Sequence, residues 1–232
     1  MTFISTFLKS QLVATVCLCM TCWNAQAQSK PTIETTFPNE ATIAQLGDTL
    51  NVGDVVFIQV TPLPFREVSA VTQSWTNHVG IVVDVSGSEP IIAESTFPFS
   101  RTTTLSRFLA RSEKGRVAVS RLSTPLTDAQ KKDIWFASKK RLGIFYDTGF
   151  NLHSSREFCS RYVREVLAEA TGVTIGEVVT FKQLLTSNPE TKLTFWRIWY
   201  FGNIPWQRKT VSPASLLQSN LMHIVFDGFA SQ

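Results

Sequence analysis

Cys159 sits in the run Glu157-Phe158-Cys159-Ser160-Arg161 and is one of four cysteines in a chain of 232 residues. The others, Cys17, Cys19 and Cys22, fall in an apolar N-terminal run. A thiol becomes a good nucleophile when a helix N-terminus or a neighbouring imidazolium stabilises its thiolate. Three histidines could serve: His78, His153 and His223. His78 opens the apolar run HVGIVVDV behind the polar pair Thr76-Asn77, where a polar ring needs a reason. Gly80, two residues on, leaves room for a backbone or ligand to come close. His153 is near Cys159 in sequence but reads as a loop residue, and His223 has only Asp227 as an acidic neighbour. A general base also needs a group that orients its second ring nitrogen. Glu94, at the end of the run PIIAE, is the candidate. Together these groups would perform acyl transfer: His78 takes the Cys159 proton, and the thiolate attacks an amide or ester carbonyl. The oxyanion would be met by the Cys159 backbone N–H, with Tyr146 as a candidate second donor. Trp75 is a candidate wall of the cleft. For Tyr146 and Trp75, plain core packing is the competing reading.

These groups depend on a small set of elements. His78–Val85 and Pro90–Glu94 read as two strands joined by Ser86-Gly87-Ser88-Glu89, hence as an antiparallel hairpin. Its register decides what Glu94 can do. A two-residue turn at Gly87-Ser88 pairs Glu94 with Ile81, on the face opposite His78. A three-residue turn at Ser86-Gly87-Ser88 pairs Glu94 with Gly80, on the same face as His78 and diagonal to it. A bulge would also change the answer. Asp54–Val60, ended by Pro62 and Pro64, and Val117–Leu122 read as further strands, with Met222–Phe226 as a last one. Thr104 can cap a helix through Ala110. Thr127 with Gln130 forms a capping box for a helix to Leu142, with Gly143 as its stop. Ser154 with Glu157 forms another, and the helix it opens carries Cys159, Val163, Val166, Leu167 and Ala170 on one apolar face up to Gly172. That cap places Cys159 in the second turn, where the helix dipole has faded. Ser212-Pro213 starts a short helix. An aromatic cluster, Phe195-Trp196 with Trp199-Tyr200-Phe201 and then Trp206, gives no clear periodicity. The fold class is α+β with an antiparallel sheet.

Residues 1–27 carry a single charge, Lys9, then the apolar run Leu12–Cys22 and the small-x-small pattern Ala25-Gln26-Ala27. They read as a signal peptide, and the protein is expected to be exported, periplasmic or secreted. Loss of the leader would leave Cys159 as an unpaired thiol in an oxidising compartment, where such thiols are uncommon. Residues 28–41, polar and rich in Pro and Thr, read as a flexible arm. Without the leader about 205 residues remain, enough for one domain with a sizeable core. The charge is mildly basic, 22 Lys and Arg against 18 Asp and Glu. The cations are scattered apart from Lys131-Lys132 and Lys139-Lys140-Arg141, and nucleic-acid binding is not supported. One cysteine and three dispersed histidines offer no zinc-type ligand spacing, and no phosphate loop or Gly-x-Ser-x-Gly elbow appears. No cofactor is expected.

The segments Asn77-His78-Val79-Gly80-Ile81-Val82-Val83, Ala93-Glu94-Ser95 and Phe158-Cys159-Ser160-Arg161-Tyr162-Val163 resemble the circularly permuted papain-like enzymes, a branch of the NlpC/P60 superfamily, and within it the YebB and YiiX group. In that branch the strand-borne histidine precedes the helix-borne cysteine, as here. Gly53-Asp54-Val55-Val56-Phe57 and Tyr146-Asp147 also look like that group, and the likeness runs from about Val52 to Phe229. The resemblance implies a permuted papain-like catalytic domain over 42–232, with an antiparallel sheet or barrel packed on helices. It implies a triad of Cys159, His78 and, at the matching position, Glu94, and so requires the same-face register. It implies a cysteine hydrolase, an amidase or peptidase. A lipid-directed hydrolase or acyltransferase and a non-catalytic binding module are the alternatives. The expected partner is a small-molecule, peptide or lipid substrate of the cell envelope, with membrane contact left open. A narrow polar groove would favour a peptide, a wide apolar one a lipid. The leader and the size of the C-terminal aromatic region go beyond what the family pattern requires.

Overall fold

The computed structural model describes residues 40–189 and 191–231. The leader expected over 1–27 lies outside the described residues, as does the arm expected over 28–41 except for its last two residues. Those two, Glu40 and Ala41, are already strand, because their backbone pairs in parallel with Phe229 and Ala230.

The elements in chain order are β1 (Glu40–Thr42), α1 (Ile43–Thr49), β2 (Val55–Ile58), α2 (Leu63–Thr72), β3 (His78–Asp84), β4 (Ile91–Glu94), β5 (Arg101–Thr104), α3 (Leu105–Leu109), β6 (Arg116–Leu122), α4 (Asp128–Lys139), α5 (Cys159–Thr171), β7 (Val179–Thr180), α6 (Phe181–Thr186), α7 (Leu193–Trp199), β8 (Lys209–Thr210), α8 (Pro213–Leu217) and β9 (Met222–Ser231). Seven strands form one sheet in the order β1-β9-β6-β2-β3-β4-β5, and β7 and β8 make a separate pair. The large sheet is antiparallel apart from β1 on β9.

Both faces of the sheet are covered, which explains why the central strands read as continuous apolar runs. On one face Val55, Phe57, Val79 and Ile81 pack against Ile134 of α4 and Tyr162, Val163, Val166 and Leu167 of α5. On the other, Val56, Ile58, Val82 and Ile92 pack against Leu46 of α1 and Leu105 and Phe108 beside it. A smaller third cluster unites Val71 of α2 with Phe181, Leu185 and Trp196 of α6 and α7. This is where the C-terminal aromatic region goes: Trp196 is buried and its ring meets those of Phe181, Phe195 and Tyr200.

Several local signals act as expected. Thr104 caps α3, the Thr127/Gln130 box opens α4, and Gly172 closes α5 in the left-handed region at φ 74°. Ser212 caps α8 ahead of Pro213. One helix had no counterpart in the sequence reading: Leu63–Thr72, with Pro64 in its first turn, where a missing N–H costs nothing. Two expectations are corrected. Helix α4 ends at Lys139, and residues 140–142 turn before Gly143. The Ser154/Glu157 box does not form. Ser154 instead accepts from the Arg156 amide, and the Glu157 backbone pairs with the 145–147 segment: its N–H donates to Phe145 and its C=O accepts from Asp147. A residue bound on both sides in an extended bridge cannot enter a helix. Helix α5 therefore starts two residues later, with Phe158 as the extended N-cap and Cys159 as the first helical residue.

Candidate active site

The hairpin β3–β4 combines both registers weighed from the sequence. Near the turn Asp84 pairs with Ile91, which on its own would carry Glu94 opposite Ile81. A bulge at Val83 then shifts the ladder, so that Val82 pairs with Ile92 and Ile81 with Ala93. One step further, Glu94 stands opposite Gly80 and diagonal to His78. One inserted residue inverts the facing of everything beyond it. Gly80 is required at the crossing, since a Cβ there would lie 2.5 Å from Ile92 Cγ2 and 3.0 Å from Phe108 Cε2.

The result is a buried pair: His78 Nε2 lies 2.6 Å from Glu94 Oε2, with the two side chains 1% and 0% exposed. An ionised carboxylate only accepts, so Nε2 carries the proton and Nδ1 is left for another partner. Nδ1 is buried with no hydrogen bond. The Cys159 thiol lies against this ring. Burial alone would lower the His78 pKa; the nearby Cys159, followed by Glu94, outweighs it and raises it to about 9. Burial likewise would raise Glu94, but His78 and then Arg111 bring it down to about 2. His78 therefore lies between the Glu94 carboxylate and the Cys159 thiol.

Cys159 itself is 3% exposed. As the first residue of α5 it stands where helix amides lack intrahelical partners and the dipole is strongest. This overturns the second-turn position expected from the Ser154 cap. Ser160 pins the helix start by donating to the Val211 carbonyl at 2.7 Å. Thr76 and Asn77 tie the open end of the β2–β3 pair: Asn77 accepts from the Val60 amide at 2.8 Å and donates back to its carbonyl at 3.0 Å. That accounts for the polar pair ahead of His78. Tyr146 is buried with its hydroxyl unbonded, beside the Cys159 thiol and backbone amide. Burial, then the charge and contact of Cys159, push its phenol well above its usual range, so it stays protonated and able to donate.

Three neighbours had no short-range signal. Arg111, beyond the end of α3, donates to both Glu94 oxygens at 2.8 and 2.7 Å. Its guanidinium also lies 5.0 Å from the Phe108 centroid, and Phe108 stacks on His78 at 5.7 Å. Phe65 of α2 meets the His78 ring edge-on at 6.0 Å. Only the fold of α2 and α3 over the hairpin assembles this clamp. The other sequence candidates lie elsewhere. Trp75 is not among the residues lining the cavity at Cys159, and the Arg116 guanidinium covers its ring at 4.0 Å. His153 is in an exposed loop and His223 is exposed on β9.

Cys159 and Tyr146 line an apolar cavity. Phe65, Val68 and Val71 of α2, Phe181 and Leu184 of α6, and Trp196 of α7 form its walls.

Comparison with known proteins agrees with this architecture. The family model for permuted papain-like amidase enzymes of the YaeF/YiiX type matches residues 49–226. The uncharacterized protein YiiX of Escherichia coli (strain K12) is 27% identical over 167 residues, covering 72% of this chain and 81% of that protein. A crystal structure of YiiX from Escherichia coli O157:H7, described as a metalloprotein, superposes with a TM-score of 0.72 at 26% identity, covering 77% of this chain and 98% of that one. Among the described residues of the present chain, no three His, Cys, Asp or Glu side chains converge as a metal-ligand set. Helix-borne Cys159 follows strand-borne His78 in the permuted order, and the family match spans most of the chain: this protein belongs to the permuted papain-like amidase family of YaeF and YiiX.

Proposed function

We propose that this protein is a thiol-dependent hydrolase that cleaves an amide bond through a thioester on Cys159. Membership of an amidase family supports a cysteine hydrolase in general. The observation that carries the residue assignment is the unpartnered Nδ1 of a His78 ring whose Nε2 is held by Glu94, with Cys159 beside it at a helix start. His78 Nδ1 takes the thiol proton, giving a thiolate and an imidazolium that Glu94 and the first-turn amides of α5 stabilise. The thiolate attacks the substrate carbonyl, and the Cys159 N–H and Tyr146 hydroxyl meet the oxyanion. The imidazolium then protonates the leaving amine. Water, activated by the same ring, releases the acid from the thioester.

The cavity favours one refinement. Its walls are mostly phenyl, indole and aliphatic groups, with Thr72, Asn77, Ser160, Thr210 and Ser212 among them, and Cys159 lies on them. An acyl group with an apolar chain fits such walls better than a polar peptide, so a lipid amide or ester is the second reading. The test is a panel of N-acyl amides of increasing chain length beside cell-wall peptides, run on wild type and Cys159→Ala. A chain-length optimum that vanishes in Cys159→Ala supports the acyl reading. Turnover of peptides alone would return the assignment to a peptidase, and turnover unaffected by Cys159→Ala would end the thiol mechanism.

A further inference from the structure

The outer end of α7 has an exposed apolar tip. Trp196 points inward and is buried, while Ile198 is 73% exposed and Phe201 94%. Phe201 holds a positive φ of 49°, an uncommon conformation for a bulky residue. The turn is fixed by the Phe201 amide donating to Ile198 and the Gly202 amide to Arg197, so the phenyl ring is held in solvent by an ordered backbone. Trp206, also exposed, follows in the same segment.

The segment that carries this tip is basic. Between residues 181 and 210 stand Lys182, Lys192, Arg197, Arg208 and Lys209 against a single acid, Glu190. Lys182, Lys192, Arg197 and Lys209 are exposed. Elsewhere several cations are held by carboxylates, such as Arg121 by Asp54, Arg141 by Glu169 and Arg161 by Glu165. Exposed aromatic and aliphatic side chains in a segment whose exposed cations make no ion pair among the described residues are the chemistry of an interfacial lipid anchor. Among the described residues no helix is long and apolar enough to cross a membrane, so the contact would be peripheral.

We propose that the α7 tip, centred on Ile198 and Phe201, docks this protein on an anionic lipid bilayer. Phe201 and Ile198 enter the headgroup layer while Lys192, Arg197 and Lys209 meet acidic headgroups. The helix that docks also walls the cavity through Trp196, so docking brings the route to Cys159 to the lipid surface. The inference rests on the surface alone and does not need the thiol chemistry.

The experiment is sedimentation with vesicles of phosphatidylglycerol and phosphatidylcholine, and of phosphatidylcholine alone, on the protein as the expressing cell releases it. Wild type should bind the anionic vesicles, more weakly in high salt and on phosphatidylcholine. Ile198→Ser/Phe201→Ser should bind them roughly tenfold more weakly. Both side chains face solvent, so the Cys159 alkylation rate of the variant should match wild type and report an intact fold. Cys159→Ser should bind as wild type does, so docking and thiol chemistry fail separately. Equal binding of wild type and the double variant, or none to anionic vesicles, overturns the proposal. So does a self-association without lipid that the double variant abolishes.

Discussion

Glu94→Gln tests the coupling between Glu94 and the candidate nucleophile Cys159. The substitution keeps the shape and an acceptor for His78 Nε2 but removes the charge. In the native protein Glu94 sits at about 2 against an ordinary 4.5, despite burial, so its partners favour its ionised form by about 3 kcal/mol. His78 is raised to about 9, and Cys159 contributes to that rise ahead of Glu94. Losing Glu94 should therefore lower the ring basicity by about one pH unit, a tenfold shift from the thiolate–imidazolium pair toward the neutral pair. The assay is the iodoacetamide alkylation rate of Cys159 from acid to alkaline pH. Wild type should alkylate well below the midpoint of roughly 8.5 shown by a free cysteine. Glu94→Gln should lose about tenfold in rate on the acid side. The variant also leaves Arg111 facing a neutral amide, so thermal unfolding must be followed in parallel; a loss of about 3 kcal/mol is expected. The pH sign follows from the lowered carboxylate: its stabilisation is present above about 4.5 and lost as pH falls towards about 2, a slope Glu94→Gln should lack. Superimposable alkylation profiles in a folded variant would refute the coupling. A free-cysteine profile in wild type would refute the activated pair itself.

Other perturbations separate the remaining parts of the site. Tyr146→Phe should lower kcat by about 10²-fold with little change in KM, as expected for an oxyanion donor; a change confined to KM would make Tyr146 part of the cavity wall. Glu157 is buried, its Oε2 makes no hydrogen bond and only a long ion pair to Arg161 at 3.6 Å, and burial, then Glu165, push it up to about 7. A raised carboxylate favours the fold below about 4.5, and that contribution is lost as pH rises to about 7. Glu157→Gln should then stabilise the protein by up to about 3 kcal/mol at pH 8 and by little at pH 4, read as the difference in unfolding free energy. Deleting Val83 removes the bulge and turns either Glu94 or His78 to the wrong face. The protein should keep its helical circular dichroism but lose the acid limb of the alkylation profile.

Much of this protein is local and could be read from the chain. The apolar runs of β2, β3 and β6, the Thr104 and Thr127 caps, the Gly172 stop and the buried face of α5 all follow from short-range sterics and hydrogen bonding. The candidate nucleophile and base were legible because a polar side chain heading an apolar run, and a cysteine near a helix start, stand out by type and position. Whether they meet was not. The start of α5 moved from the Ser154 region to Cys159 because the Glu157 backbone is claimed by a segment ten residues upstream, a choice no capping rule contains. Glu94 faces His78 because one residue bulges at Val83, and a bulge is set by how a whole sheet twists and packs. Arg111 and Phe108 reach the pair only because α3 folds beneath the hairpin, and Trp196 of the aromatic segment becomes a cavity wall only because α2 lies opposite. Side-chain type and local backbone preference act over a few residues and are carried by the sequence. Register, the point where a long-range pairing overrules a local one, and the closing of a cavity between distant segments are decided when the tertiary structure forms.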